Sequence, residues 1–172
     1  MKYKNASLKK IDKYITNVLS KNSFKGRSNP EDPVFTKGIF LFGNTGTGKT
    51  YTLYAIANAL KDMFKEAEVY SWQEVLFEVK RTFGSNVQTP IDHMKRDEYI
   101  LLDDVGVEKD TEWSQEMFYM VINRAYMKET PVFISTNLSI EEFGKKYGDR
   151  VMGRLEEMCD FIQLKGEDRR IS

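Results

Sequence analysis

The run Gly43-Asn44-Thr45-Gly46-Thr47-Gly48-Lys49-Thr50 holds the residue types and spacing that speak most directly of chemistry. It fits G-x-x-x-x-G-K-[ST], a loop whose backbone N–H groups turn inward around phosphates. The glycines belong there because that curvature needs conformations that side chains resist. A helix starting at Lys49 would add the positive end of its dipole. In this pattern Lys49 reaches the β and γ phosphates and Thr50 ligates Mg²⁺. The expected nucleotide contacts are Gly43, Asn44, Thr45, Gly46, Thr47, Gly48, Lys49, Thr50 and the next residue, Tyr51. A plain glycine-rich turn is the competing reading.

The second constellation is Asp103-Asp104, directly after the apolar run Tyr99-Ile100-Leu101-Leu102. Two adjacent carboxylates at a strand end are costly unless a cation or a proton separates them from their own repulsion. A Mg²⁺ site supplies that cation, with Asp103 holding the metal through water and Asp104 polarising an attacking water. A solvated acidic turn competes. Ser135-Thr136-Asn137 ends another apolar run, where Asn137 would aim its amide at a γ-phosphate or at the attacking water. Asn-Leu-Ser is also a good helix entry. Arg150 and Arg154, four apart on one helical face, read either as a solvated basic face or as an arginine finger, which acts in trans and implies an oligomer.

These residues need strands and helices to bring them together, and the pattern provides both. Residues 38–42 are a short apolar strand, and 49–64 carry helical periodicity through Leu53, Ile56, Ala57 and Leu60. Val69-Tyr70 is a brief strand. Ser71 with Glu74 has the capping-box spacing for a helix through Val75, Leu76 and Val79. Residues 100–102 are a third strand, 111–127 a helix, 131–135 a fourth strand, and 161–164 a fifth. Ser139 with Glu142 caps a further helix, and another surrounds 151–158. Strands separated by helices predict right-handed crossovers and a parallel sheet covered on both faces. Ahead of this, Leu8, Ile11, Ile15, Val18 and Leu19 predict a short amphipathic helix, followed by a linker. That helix either packs on the core or docks a partner.

Composition bounds the rest. At 172 residues and 20.1 kDa the chain has room for one core, and 30% charged with 41% apolar residues suits a globular class. Lys+Arg and Asp+Glu are both 26, so no bulk field would hold nucleic acid, and any such contact is a local stripe. Lys80, Arg81 and Phe83, with Lys95 and Arg96, are the candidates for single-stranded DNA by composition alone. A single cysteine, Cys159, and a single histidine, His93, exclude a disulfide framework and a Cys/His zinc cluster. No secretory leader and no membrane-length apolar run is visible, so the expected location is cytoplasmic, with no membrane partner.

Taken in order, the phosphate loop, Leu101-Leu102-Asp103-Asp104-Val105-Gly106-Val107-Glu108-Lys109, Thr111-Glu112-Trp113, Val121-Ile122-Asn123-Arg124-Ala125-Tyr126, Ser135-Thr136-Asn137-Leu138-Ser139 and Asp149-Arg150-Val151-Met152-Gly153-Arg154-Leu155 resemble the AAA+ ATPases of the DnaC/DnaI helicase-loader group, with the IstB-type transposition helpers close by. The resemblance implies an α/β P-loop NTPase (AAA+) core over 38–172, preceded by an N-terminal helix and linker over 1–37. It further implies a five-stranded parallel sheet in the order 5-1-4-3-2, ATP with Mg²⁺, and slow hydrolysis. By it Asn137 is the sensor, Arg154 the match to the finger, Arg150 a second arginine of that box, and Gly166, Asp168 and Arg170 the closing segment. A replicative helicase, single-stranded DNA and a head-to-tail, nucleotide-dependent homo-oligomer are the implied partners. Only 37 residues precede Gly38 and eight follow Leu164. This departs from the larger loaders, with no room for a C-terminal lid, and leaves adenine to the linker before Gly38 and to a neighbouring subunit. A nucleotide-gated scaffold without turnover and a P-loop small-molecule kinase are the other classes considered.

Overall fold

In the computed structural model, which describes residues 3–23, 34–84 and 86–166, five strands form one all-parallel sheet in the order β2-β3-β4-β1-β5. The strands are β1 (Gly38–Phe42), β2 (Val69–Ser71), β3 (Ile100–Asp103), β4 (Val132–Thr136) and β5 (Cys159–Gln163). Read from the other edge, this is the expected 5-1-4-3-2. The helices are α1 (Lys13–Asn22), α2 (Lys49–Asp62), α3 (Trp72–Arg81), α4 (Pro90–Met94), α5 (Glu112–Met127), α6 (Ile140–Tyr147) and α7 (Asp149–Met158).

Successive strand side chains point to opposite faces, and both faces are covered. Ile39, Leu41, Leu101 and Phe133 pack with Ile15 and Leu19 of α1 and with Leu53, Ile56 and Leu60 of α2. Phe40, Ile100, Leu102 and Ile134 pack with Trp72 of α3, Phe118 of α5, Phe143 of α6 and Leu155 of α7. Burying each large apolar side chain contributes roughly 1.5–3 kcal/mol, which is why β1, buried from Gly38 to Leu41, reads as an unbroken apolar run. Gly38 opens β1 between β4 and β5, where a Cβ would lie 1.8 Å from the Val132 carbonyl oxygen.

Two local expectations change. The helix predicted over 8–19 is divided into a 3-10 turn (Leu8–Lys10) and α1, because Ser7 and Asp12 each turn a side-chain oxygen to a backbone N–H, the latter to Tyr14 at 2.7 Å. Ile15, Val18 and Leu19 are nevertheless buried. The Ser71–Glu74 capping box does not form: Ser71 ends β2 opposite Asp103 and makes no side-chain cap. The boxes at Ser139–Glu142 and at the unforeseen Thr89–Asp92 do form, the latter opening α4 with Pro90 in its first turn. The linker at 24–33 lies outside the described residues, as do Asp168 and Arg170. Among the described residues no helix is long and apolar enough to cross a membrane.

Candidate nucleotide site

The carboxyl ends of parallel strands converge on one crevice, and here the ends of β1, β3 and β4 bring Gly43, Asp103 and Ser135–Asn137 to it. Gly43, Gly46 and Gly48 have φ of 128°, 82° and 96°, in the region that favours glycine. Gly48 caps α2 with no side-chain hydrogen bond, so the first N–H groups of that helix are left to the loop. Gly43 is required on a second count, since a Cβ would meet the Leu164 carbonyl oxygen at 2.4 Å. The Lys49 side chain is turned into the loop: the residue is 5% exposed and Nζ donates to the carbonyls of Gly43 and Asn44 at 2.7 and 2.6 Å.

Thr50 Oγ1 donates to Asp103 Oδ1 at 3.1 Å, joining the first turn of α2 to the end of β3. The Ser135 hydroxyl donates to the same carboxylate oxygen and accepts the Asp104 N–H at 3.1 Å. Burial pushes the Asp103 carboxyl above the usual range, with the Asp104 charge adding to it and the hydroxyls of Ser135 and Thr50 opposing it. The two carboxylates part because Asp104 adopts a left-handed φ of 52°, which costs a non-glycine residue about 1 kcal/mol. Bonds to β4 hold that turn: Val105 N–H donates to the Ser135 carbonyl at 2.9 Å, and Thr136 Oγ1 to the Val105 carbonyl at 2.6 Å. The result is that Asp104 faces Asn137, whose Nδ2 donates to its Oδ1 at 3.3 Å.

Asp104, Asn137, Tyr51 and the loop from Thr45 to Thr50 line a cavity of about 750 Å³, within the size range of small-molecule sites. Its lining also includes the N-terminal segment, with Tyr3, Ala6, Ile11 and Ile15. The Tyr3 ring stacks on Tyr54 at 4.9 Å, Ser7 N–H donates to the Tyr51 hydroxyl at 3.2 Å, and the Asn58 amide donates to the Ala6 carbonyl at 2.9 Å. Sequence reasoning missed this wall and missed the part played by Ser135. The available signal for Ser135 was a hydroxyl residue at the crevice end of an apolar strand.

The paired arginines do not line the cavity. Arg150 is exposed on α7, as a solvated face requires. Arg154 is half-buried: its guanidinium lies 5.2 Å from the Tyr119 ring and 5.5 Å from the Tyr126 ring, and Nη1 donates to the Arg150 carbonyl at 2.9 Å. In the basic stripe, Lys80 stands 4.6 Å over the Trp113 ring, Arg81 pairs with Glu78, Lys95 with Asp92, and Arg96 donates to Gln88. Phe83 beside them is 85% exposed.

The family model described as IstB-like ATP binding protein matches residues 35–172. The replicative helicase loader DnaI of Bacillus subtilis (strain 168) is 30% identical over 148 residues, 78% of this chain and 48% of that protein. The replicative helicase loader DnaC of Escherichia coli (strain K12) is 26% identical over 120 residues, 67% of this chain and 49% of that protein. The chain thus spans about half the length of these curated relatives. A crystal structure of the DnaC helicase loader matches with a TM-score of 0.80 at 21% identity, covering 95% of this chain and 99% of that one, a likeness of fold. Because the family match takes in the phosphate loop, both strand-end carboxylates and the paired arginines, the chain belongs to the IstB-like ATP-binding protein family.

Proposed function

We propose that this chain is a Mg²⁺-dependent AAA+ ATPase of the helicase-loader type that helps place a replicative helicase on single-stranded DNA. The observation that carries the reading is the Thr50–Asp103 hydrogen bond with Asp104 and Asn137 side by side over the same cavity. The Lys49 ammonium, the only side-chain cation in the loop, exchanges two loop carbonyls for phosphate oxygens. Thr50 and Asp103 offer hard oxygen donors that suit Mg²⁺, and among the described residues no larger His/Cys/Asp/Glu cluster competes for a metal. Thr50 and Asp103 would hold such an ion, which would supply positive charge against the phosphates. Asp104 orients the attacking water and takes its proton, and Asn137 fixes that carboxylate. The N-terminal segment, through Tyr3, Ala6 and Ile11 on the cavity wall, forms the base side of the site, and 38–172 is the ATP-binding domain. Arg154, with Arg150 at its side, serves the site of a neighbouring copy in a head-to-tail, nucleotide-dependent homo-oligomer.

The names of DnaI and DnaC support the loading role, and the family's IstB description favours a transposition helper as the second reading. Capture of a purified hexameric replicative helicase on immobilised chain separates them. Retention with ATP and release with ADP are expected; absence of capture in both states sinks the loading role, and ATP-dependent capture of a transposase instead supports the second.

For single-stranded DNA the candidates are Lys80, Arg81, Lys95 and Arg96 with exposed Phe83, and the ion pairs of Arg81 and Lys95 are solvent-facing and weak enough to yield to phosphates. Fluorescence anisotropy with a long oligonucleotide and ATP is expected to show weak, length-dependent binding that is steeply lost with salt. Binding that survives Arg81→Ala/Arg96→Ala unchanged would remove the stripe as the interface.

A further inference from the structure

Behind Asp104, away from the cavity, stands a buried charged cluster that no role described so far uses. Lys146 and Glu108 pair at 3.2 Å with side chains only 11% and 4% exposed. Glu108 Oε2 accepts the Gly106 N–H at 2.9 Å, and the Tyr147 hydroxyl donates to Oε1. Lys146 Nζ also donates to the carbonyls of Gly106 and Glu108, at 3.1 and 2.8 Å. Both backbone polar groups of Gly106 are therefore held by the cluster. Burial and the adjacent carboxylate keep the Tyr147 hydroxyl protonated, so it serves as a donor.

Stability is a poor reason for such a cluster, because two buried charges lose their hydration and apolar replacements of similar volume do as well or better. What the cluster does accomplish is geometric. It attaches the C-terminal end of α6 to the loop 104–108, whose other side is already tied to Ser135 and Thr136 of β4. Between these two attachments lie the left-handed Asp104 and Gly106, the latter at φ 105°, where a Cβ would also press on the Leu138 side chain, with Cδ1 at 2.6 Å. A strained turn persists only where its surroundings over-determine it.

We propose that Glu108, Lys146 and Tyr147 are positioning residues: the cluster holds loop 104–108 in the turn that presents the Asp104 carboxylate to Asn137 and the cavity. The proposal rests on the reading of Asp104 as the water-orienting residue of an ATPase. It predicts that loosening the cluster lowers the hydrolysis rate and leaves ATP affinity alone, because the phosphate loop is attached to other elements.

Lys146→Met alone strands a buried carboxylate, so the decisive protein is Lys146→Met/Glu108→Gln, which removes both charges, with Tyr147→Phe as a milder variant that deletes one hydroxyl. Thermal unfolding, affinity for a fluorescent ATP analogue, single-turnover hydrolysis with Mg²⁺, and amide hydrogen exchange over 103–107 are measured on each. The double variant is expected to melt within a few degrees of the parent, to bind within about twofold, to hydrolyse roughly 10- to 100-fold more slowly, and to exchange faster at Asp104 to Gly106. Tyr147→Phe should fall between the two and decides the matter if the double variant fails to fold. A folded variant with parental rate, or a rate lost only in step with affinity, overturns the catalytic consequence. Parental exchange overturns the positional claim whatever the turnover. If the parent itself shows no turnover, or Asp104→Asn hydrolyses like the parent, it is the reading of Asp104 that fails.

Discussion

Arg154→Ala is expected to slow ATP hydrolysis by roughly 10³-fold or more at high protein concentration, by analogy with other trans-acting arginines, while the dilute protein binds ATP as before. The expectation comes from where the side chain sits. Arg154 is absent from the lining of its own cavity and lies against Tyr119 and Tyr126 of α5, half-buried and anchored to the Arg150 carbonyl. A guanidinium packed near two rings has lost rotamer freedom, which suits a group presented to another molecule. Specific activity should rise with protein concentration in the parent and not in the variant. Mixing Arg154→Ala with Asp104→Asn, each inactive alone, should recover part of the activity, because some mixed interfaces pair an intact cavity with an intact arginine. If no ratio of two folded variants recovers activity, Arg154 does not act in trans.

Lys49→Ala and Asp104→Asn should separate binding from turnover. Lys49 loses two charge-assisted hydrogen bonds to phosphate, so ATP affinity is expected to fall by roughly 100-fold, about 2.7 kcal/mol. The loop should loosen, since Lys49 is buried and its ammonium ties the carbonyls of Gly43 and Asn44. Asp104→Asn keeps the Asn137 contact within reach and removes the proton acceptor, so affinity should be parental and the single-turnover rate lower by about 10²- to 10⁴-fold. Calorimetric titration and rapid-quench hydrolysis with saturating Mg²⁺ measure the two. Parental hydrolysis by Asp104→Asn would assign the water to another group, and parental binding by Lys49→Ala would deny the phosphate loop its expected ligand.

By itself the sequence determined what is written in local pattern. The phosphate loop with its three left-handed glycines, the apolar runs of β1, β3 and β4, the helices from Lys49 and Glu112, and the capping box at Ser139 follow from neighbours at most a few positions apart. Short-range propensity and periodicity suffice for these. Even so, the same local signal at Ser71 and Glu74 gave no capping box: Ser71 precedes the helix as the last residue of β2, and its side chain makes no cap bond.

Tertiary structure decided everything that depends on register between distant segments. Whether Asp103 meets Thr50, 53 positions away, or Ser135, 32 positions away, depends on how far β3 and β4 extend in the sheet. The same holds for Glu108 with Tyr147, 39 positions apart, for the N-terminal wall packed on α2, and for Arg154 between two tyrosines of α5. None of these pairs leaves a pattern along the chain, since a glutamate, a lysine or an arginine reads as a solvated charge until packing removes the water from it. The residue types that carry the chemistry were therefore legible one by one, and the partners that orient them were set by the sheet order β2-β3-β4-β1-β5 and the helices folded over it.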